Sequence, residues 1–216
     1  MPVSDAPDDD LQALQAAGSQ RGDALAAALG RHRARLLRMV DLRMHPALRG
    51  RIGASDVLQD AWLEISSRLG DYLADPRMPF FLWIRFITAQ RLMALHRRHI
   101  GAQKRDVRRQ VSLGRGAFPS ATSVALVDRL VAAGTTPTQA AVQHELRLQL
   151  EEALDEMNPA DREVLVLRHF EELTNGEAAA ELGIEKPAAS KRYVRALRRL
   201  REILESCGLP PGATAP

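Results

Sequence analysis

Two stretches of this sequence concentrate enough positive charge to bind a polyanion. Residues 97–115 hold seven Lys and Arg side chains against one acid, and residues 186–201 hold seven with no acid. The other residues hold 16 basic and 26 acidic side chains, so a chain with a net charge of only +3 is an acidic body with two basic segments. Clustered Lys and Arg attract the phosphate backbone of nucleic acid, and such binding weakens steeply as salt rises. The alternative for any one basic run is a solvated helix face.

The composition predicts a helical protein without a disulfide or a metal centre. The 216 residues are 45% hydrophobic and 26% charged, as in an ordinary folded protein, and only 4% are aromatic, which disfavours a β-sandwich or barrel. The single cysteine, Cys207, excludes an intramolecular disulfide and a multi-cysteine metal site. The chain has no P-loop, HExxH or GxSxG motif, and its six histidines are scattered, so we expect neither an enzyme nor a cofactor. The acidic N-terminus and the lack of an apolar run of ~20 residues predict a cytoplasmic chain with no secretory signal and no membrane span.

Hydrophobic spacing places the basic segments on an all-α scaffold of two small helical domains. The pattern predicts one domain over residues 20–105, a flexible linker over 106–139 and a second domain over 140–207. We expect residues 1–20 to be frayed, and residues 70–79, which hold two prolines, to form a loop. The predicted helices span residues 22–44, 55–70, 80–99, 124–132, 138–157, 160–170, 174–182 and 187–206.

Residues 174–206 have the spacing of a helix-turn-helix. Thr174 and Glu177 are placed to form a capping box, and Gly183 supplies the left-handed residue that turns the chain. In the helix that follows, small and apolar residues recur on one face while basic residues occupy the other, a shape that fits the major groove of DNA. The alternative is an ordinary helical hairpin with a salt-bridged face. The predicted DNA-binding side chains are Lys186, Ser190, Lys191, Arg192, Arg195 and Arg199.

Residues 151–205 resemble region 4 of bacterial RNA polymerase sigma factors of the extracytoplasmic-function (ECF) type. The family pattern is a helix of the form L-P-x-x-x-R-E-V-L-x-L-R, then E-I-A-x-x-L-G, then a second helix that ends in R-A-x-x-x-L. The chain departs from it at Ala178, where Ile is usual, and at residues 187–189, where Gly-Thr-Val is common. The resemblance implies that the second helix binds the −35 promoter element. The matching positions are Asn158, Pro159, Arg162, Glu163, Val164, Leu165, Leu167, Arg168, Glu177, Ala179, Leu182, Gly183, Arg195, Ala196 and Leu200.

Residues 56–62 are similar to the D-x-x-Q-[DE]-x-[FW] segment of sigma region 2. In the family this helix face docks on the clamp helices of the largest RNA polymerase subunit. The resemblance therefore implies that Asp56, Gln59 and Asp60 bind core polymerase, and their spacing puts them on one side of a helix. The alternative is a first helical turn that carries acids because they interact favourably with the helix dipole.

Residues 80–92 resemble the F-x-x-W-L-x-x-I-A-x-N helix of the same region, with Gln90 where Asn is common. The resemblance implies that this helix and the preceding loop, residues 71–79, open the −10 promoter element and hold an extruded base. An unstacked base favours an aromatic or apolar pocket and a basic groove for its backbone. Trp83 and Phe86, at helical spacing, are expected in the core. The predicted contact residues are Tyr72, Phe80, Arg85, Gln90, Arg91, Arg97 and Arg98.

The two blocks stand in the family's order, with a linker between them. The resemblance implies a promoter-specificity subunit that binds core RNA polymerase, through the clamp helices and the flap, and promoter DNA, and it leaves open an anti-sigma factor as a further partner. Residues 99–113 and 120–141 are also similar to an ECF subgroup common in planctomycete bacteria. Two alternatives are a stand-alone helix-turn-helix regulator and a helical adaptor that does not bind DNA.

Overall fold

The computed structural model describes residues 8–100, 126–128, 130 and 140–208 of the chain. Across these residues the regular structure consists of nine α-helices with short helical turns and no strand, which confirms the predicted all-α class. The chain divides into two compact units, Met1–Pro119 and Ser120–Pro216. The narrower domain boundaries that the sequence predicts stay predictions.

Within residues 8–100, the N-terminal unit contains five α-helices, of which three are long enough to frame a core. The long helices supply apolar side chains at helical spacing, and Val40, Val57 and Leu92 meet in one buried cluster. Val57, Ala61 and Ile65, which recur at helical spacing along one side of α4, are fully buried. Each such Val, Leu or Ile stabilises the fold by roughly 1.5–3 kcal/mol relative to an exposed one. The helices are α1 (Asp9–Ala16), α2 (Arg21–Arg43), α3 (Pro46–Arg49), α4 (Ala54–Ala74) and α5 (Phe80–Ile100).

The segment that we expected to be frayed contains a docked helix, so that expectation is wrong for α1. The Asp8 side chain caps α1, because its Oδ1 accepts a hydrogen bond from the Leu11 N–H at 3.1 Å. Its Oδ2 accepts another from the Phe80 N–H at the start of α5. Leu14 is fully buried. The acidic residues suggested a solvated tail, whereas they act as helix caps and ion-pair partners.

A second carboxylate fastens α1 to α2. Asp10 forms a salt bridge with Arg31 and a 2.6 Å contact between its Oδ2 and Nε2 of His32. Burial alone would raise the pKa of Asp10, but hydrogen bonds from Arg31 and His32 lower it below its usual range. The His32 ring also packs against Phe81 of α5, with ring centroids 4.9 Å apart. Helix α1 is therefore an integral part of this unit.

Helix α4 begins and ends at residues other than those predicted. The N-cap is Gly53 rather than Ser55, and the Asp56 carboxylate accepts a hydrogen bond from the Gly53 N–H at 3.0 Å. Gly70, predicted to close the helix, lies inside it, and α4 continues for another turn that buries Tyr72. A glycine inside a helix costs only about 1 kcal/mol relative to alanine, which the burial of one aromatic side chain outweighs.

In the described residues of the C-terminal unit there are four α-helices and a short helical segment. Residues 126–128 and 130 are helical, and their Leu126, Val127 and Leu130 side chains are buried. Asn158 stops one helix and caps the next, since its side chain accepts a hydrogen bond from the Ala160 N–H at 2.9 Å. A π-helical turn, Val166–Phe170, leads into the helix-turn-helix. The helices are α6 (Ala140–Glu156), α7 (Pro159–Leu165), α8 (Asn175–Leu182) and α9 (Lys186–Ser206).

Several predictions fall outside the described residues. These are the flexible linker over 106–139, apart from the helical residues 126–128 and 130, and the larger part of the first basic segment, residues 101–115. Among the helices that the structure describes, none has the length and apolar character that a membrane crossing needs. In the same part of the chain, no group of three or more His, Cys, Asp or Glu side chains is placed to hold a metal ion.

Candidate nucleic-acid interface

The turn between α8 and α9 has the geometry that the sequence predicts. The Thr174 hydroxyl accepts a hydrogen bond from the Glu177 N–H at 3.2 Å, and the Glu177 carboxylate accepts one from the Thr174 N–H at 2.7 Å. Gly183 ends α8 in the left-handed conformation, with φ of 66°. The Asn175 side-chain amide donates to the Lys186 carbonyl at 2.9 Å, which ties the first turn of α8 to the first turn of α9. These contacts fix where α9 starts.

One face of α9 is buried against the rest of its unit. Ala189, Ala196, Leu200 and Leu204 are buried, as predicted, while Tyr193 is only half-buried. The small side chains near the start of the helix allow close approach to α8 and α7, and the leucines fill the space near its end. Burying this stripe leaves the basic residues on the outside.

The predicted DNA-binding residues of α9 reach the surface to different extents. Arg192 lies at the edge of the buried stripe and is half-buried. Val194, an apolar residue, is 47% exposed amid the basic side chains, and it is not among the predicted contacts. The exposed members are Lys186, Ser190, Lys191, Arg195 and Arg199, with Arg198 beside them.

Two of these arginines share one carboxylate from α7. Arg195 binds Asp161 in a fork, with Nε to Oδ2 at 2.9 Å and Nη2 to Oδ1 at 2.7 Å. Arg192 Nε lies 3.8 Å from the same Oδ1. Hydrogen bonding to Asp161 raises the pKa of Arg195, so its positive charge is secure. Sequence reasoning missed Asp161, because it lies 34 positions from Arg195 and no local spacing connects the two.

The other basic residues of α9 divide into paired and unpaired groups. Arg199 forms a salt bridge with Glu202 at 3.2 Å, and Arg201 forms one with Glu205 at 2.7 Å. With respect to the residues that the structure describes, Lys191 and Arg198 have no ion-pair partner. The salt-bridged hairpin that we considered is therefore present only in part, and the middle of the helix keeps free positive charge.

In the N-terminal unit, the aromatic residues predicted to contact DNA are buried in a cluster. The rings of Tyr72 and Trp83 stack with centroids 4.3 Å apart, and Phe80 lies 5.9 Å from Trp83. The Tyr72 hydroxyl donates a hydrogen bond to the Met78 carbonyl at 2.9 Å, and burial raises its pKa. This arrangement braces the loop between α4 and α5 instead of presenting Tyr72 and Phe80 to solvent. Arg85 is also fully buried.

The side chains exposed on α5 differ from those that were predicted to contact DNA. Gln90, Arg97 and Arg98 are exposed as expected, whereas Phe86, expected in the core, is 42% exposed one turn before Gln90. Trp83 is half-buried at the start of the same stripe. The solvent-facing side of α5 therefore runs from aromatic to polar to basic side chains.

The three predicted polymerase-binding residues lie on α4, but they do not form one free patch. Asp56 accepts the Gly53 N–H, and Asp60 Oδ2 binds Arg91 of α5, at 2.6 Å to Nη2 and 3.1 Å to Nε. Gln59 is exposed, and Leu63, one turn further on, is 75% exposed. The structure thus joins a predicted polymerase contact, Asp60, to a predicted DNA contact, Arg91.

Comparison with known proteins defines the class of the C-terminal unit. Residues 147–200 match the family described as Sigma-70, region 4. The match covers α7, α8 and most of α9, and therefore includes most of the helix-turn-helix formed by α8 and α9. The fold and the family match together make this unit a sigma-70 region 4 domain.

Relatives extend the similarity beyond this domain. The RNA polymerase sigma-E factor of Streptomyces avermitilis is 44% identical over 64 residues, which are 30% of this chain and 36% of that protein. The chain thus spans about a third of the length of the sigma-E relatives that it matches. The ECF RNA polymerase sigma factor SigD of Mycobacterium tuberculosis is 28% identical over 186 residues, 86% of this chain and 79% of that protein. Residues 147–200 thus match sigma-70 region 4, and the chain as a whole is similar to an ECF sigma factor over most of its length.

A solved structure shows the same fold. The structure of CnrH in complex with the cytosolic domain of CnrY aligns with a TM-score of 0.51 and 22% identity, over 93% of this chain and 99% of that one. The similarity to a planctomycete subgroup stays a prediction.

Proposed function

We propose that this protein binds core RNA polymerase and directs it to promoters by recognising the −10 and −35 elements. The observation that carries this proposal is the helix-turn-helix of the region 4 domain, whose second helix buries an apolar stripe and turns basic side chains outward. Catalysis would belong to the polymerase, so we propose a non-enzymatic, cytoplasmic role.

Helix α9 is the proposed reader of the −35 element. Its first turns expose Ser190, where the N-terminal part of a recognition helix meets base edges in the major groove, and Lys191, whose ammonium group suits a backbone phosphate. Arg195 and Arg198 follow at positions suited to phosphates or to a guanine. Val194 directly precedes Arg195 and is 47% exposed, so its methyl groups can contact the thymine methyl group.

The exposed side of α5 is the proposed −10 surface. Phe86 and the outer edge of Trp83 offer stacking surface to an unstacked base, and Gln90 offers hydrogen bonds. Arg97 and Arg98 attract the backbone near the end of the helix. In this proposal the buried Tyr72, Phe80 and Arg85 shape the loop and the helix beneath the surface, and they do not touch DNA directly.

The N-terminal half of α4 is the proposed polymerase-docking face. Gln59 and Asp60 supply hydrogen-bonding groups, and Leu63 supplies an exposed apolar contact one turn away. Asp60 is bound to Arg91, so docking at Asp60 competes with that salt bridge and leaves Arg91 available to DNA. An anti-sigma factor that covers this face is a further proposed partner.

Two other functions fit the observations less well. A stand-alone regulator would need only the helix-turn-helix, and it leaves unexplained a similarity to SigD over 86% of the chain. An adaptor that binds only protein gives no role to Lys191 and Arg198, which have no ion-pair partner among the described residues.

Transcription with purified core bacterial RNA polymerase tests the proposal. A library of genomic fragments is transcribed with core enzyme alone and with core enzyme plus this chain. The proposal predicts new transcripts that start at positions sharing two upstream elements. Binding to core enzyme without new start sites would support the adaptor, and sequence-selective DNA binding without core binding would support the stand-alone regulator.

A further inference from the structure

We infer that Asp161 is a specificity-determining residue of the region 4 interface: its carboxylate orients Arg195 and Arg192 and weakens their attraction to DNA of arbitrary sequence. This inference rests on the proposed function, and it assigns a role to a residue that lies on neither face of the recognition helix.

The geometry around Asp161 is that of an orienting group. Asp161 is 9% exposed and sits in the first turn of α7, which packs against α9. Both of its carboxylate oxygens are used by Arg195, and Oδ1 also faces Arg192. A guanidinium held through two parallel hydrogen bonds has a fixed plane as well as a fixed position. Arg195 is nevertheless 64% exposed along its side chain, so part of it faces solvent.

The two-pronged contact with Asp161 leaves some N–H donors of Arg195 available to bind a ligand. Arginine has five N–H donors, and the contact with Asp161 uses only Nε and Nη2. The Nη1 side is available for a base edge or a phosphate, and its direction is set by the carboxylate behind it. Pre-orientation favours a target whose acceptors lie in that direction, because less side-chain freedom is lost on binding.

The Asp161 carboxylate also reduces the net positive charge that this part of the α9 surface presents to DNA. Asp161, Arg192 and Arg195 together carry one net positive charge instead of two. Non-specific binding to DNA depends almost wholly on charge, whereas discrimination depends on directed hydrogen bonds. The same group therefore lowers affinity for arbitrary sequence and sharpens selectivity, which an ordinary structural salt bridge would not do.

The test compares Asp161→Asn with the matched control Asp155→Asn in the full chain bound to core bacterial RNA polymerase. Asp155 is an acid of the same unit that pairs with Arg162 at 3.0 Å and contacts neither arginine of interest. The probes are duplexes enriched by the wild-type complex from a randomised library and shuffled duplexes of the same composition. Thermal unfolding of each variant checks that the fold is retained.

We expect Asp161→Asn to bind shuffled duplex about two- to fivefold more tightly, because an exposed guanidinium is released from its carboxylate. The ratio of selected to shuffled affinity should fall about tenfold, the discrimination that one directed arginine contact supplies. The salt dependence should steepen by about one phosphate contact. Asp155→Asn should change neither the affinity for shuffled duplex, nor the ratio of selected to shuffled affinity, nor the salt dependence.

A second variant separates orientation from charge. Arg195→Lys keeps the positive charge but cannot form the two-pronged contact. It should lower the selected-to-shuffled ratio without tightening shuffled binding, and adding Asp161→Asn to it should have little further effect on the ratio. An additive loss would show that Asp161 acts independently of Arg195.

The outcomes distinguish this inference from the proposed function. If the wild-type complex enriches no sequence, the proposed function fails and the role of Asp161 falls with it. If the wild-type complex is selective and Asp161→Asn leaves its selectivity unchanged, only the role of Asp161 is overturned. A parallel loss of selected and shuffled binding, with a lowered unfolding temperature, would make Asp161 a structural residue and would equally overturn it.

Discussion

At the scale of single residues, the basic side chains of α9 differ in what they are bound to. Arg195 is held by Asp161, Arg199 and Arg201 are held by acids of their own helix, and Lys191 is unpaired among the described residues. Equal charges on one helix are thus expected to contribute unequally to DNA binding.

Arg195→Ala should weaken binding to the upstream promoter element and leave core-polymerase binding unchanged. A directed arginine contact is worth about 1–3 kcal/mol, so we expect a loss of roughly tenfold or more, measured by titration of the complex with promoter duplex. Arg201→Ala is the matched control, since Arg201 is on the same helix and bound to Glu205. Equal losses of DNA and polymerase binding in Arg195→Ala would indicate misfolding instead of a lost contact.

A half-buried histidine, His96, makes the N-terminal unit sensitive to mild acid. The backbone N–H of His45 donates a hydrogen bond to Nε2 of His96 at 3.3 Å. Burial, with a smaller effect of the His45 charge, lowers the pKa of His96 to about 4. In the unfolded chain His96 titrates near its usual pKa of about 6.5. Because the unfolded state then binds more protons, stability is full above about pH 6.5 and falls as the pH drops towards 4.

The variant His96→Gln should remove much of this loss. After allowance for solvent screening we expect the wild type to lose about 1 kcal/mol more than His96→Gln between pH 7 and pH 4. Urea unfolding at a series of pH values measures the difference. Parallel stability curves for the two proteins would contradict the assignment.

Residue-scale contacts across long sequence separations were beyond sequence reasoning. The spacing on α9 correctly separated its buried and exposed faces, because helical periodicity is local. The partner of Arg195 could not be predicted, since Asp161 lies on another helix and its pairing depends on how the helices pack. Phe86 was misplaced in the core for the same reason: an aromatic at helical spacing is buried only if a neighbour covers it.

At the scale of elements, two glycines show how conformation decides what a helix can tolerate. Gly183 has φ of 66° and ends α8, whereas Gly70 lies within α4. An added methyl group would meet nothing within 4 Å at either position. The difference between them is therefore one of backbone conformation alone.

Gly183→Ala should destabilise the C-terminal unit by about 1–2 kcal/mol, because a left-handed conformation is strained for alanine. Gly70→Ala is the matched control and should stabilise the N-terminal unit by about 0.5–1 kcal/mol, because alanine is the better helix former. Thermal unfolding of both variants measures the effects. Equal effects of the two substitutions would be inconsistent with the observed backbone.

The contribution of helix α1 to the stability of the N-terminal unit can be measured by truncating one side chain. Leu14 is fully buried, so Leu14→Ala should destabilise the N-terminal unit by about 2–4 kcal/mol through lost burial and a cavity. Gln15→Ala, at an exposed neighbouring position, should have almost no effect. A negligible effect of Leu14→Ala on denaturant unfolding would mean that α1 is not docked.

The long amphipathic elements were predictable, and the first helix was not. The starts of α5, α8 and α9 were predicted to within a residue, since their apolar stripes and caps are local signals. Helix α1 is short and acidic, and it is held by contacts of Asp8 and Asp10 with α5 and α2 that appear only after folding. The actual length of α4 likewise depended on tertiary burial of Tyr72 beyond Gly70.

At the scale of the whole molecule, the small net charge conceals a division between acidic and basic surfaces. The formal charge is +3, yet residues 186–201 carry seven basic side chains and no acid. This charge distribution agrees with the proposed binding roles, in which acidic and apolar residues of α4 bind the polymerase and basic residues of α5 and α9 bind DNA.

Neutralising Lys191 or Arg198, which have no ion-pair partner in the part of the chain that the structure describes, should flatten the salt dependence of DNA binding. For the complex of full chain and core polymerase, Lys191→Ala and Arg198→Ala should each reduce the slope of log affinity against log salt by about 1. Shuffled and selected duplexes should be weakened alike, because phosphate contacts carry no sequence information. Unchanged slopes in both variants would exclude phosphate contact by this face.

The most direct test of the central claim is initiation by core bacterial RNA polymerase on a genomic library, with and without the full chain. We expect new, discrete start sites with the wild-type chain. We expect their loss when Arg195→Ala is combined with Lys191→Ala, while both proteins bind core enzyme equally. New start sites that persist unchanged with the double variant, or none with the wild type bound to core enzyme, would contradict the central claim.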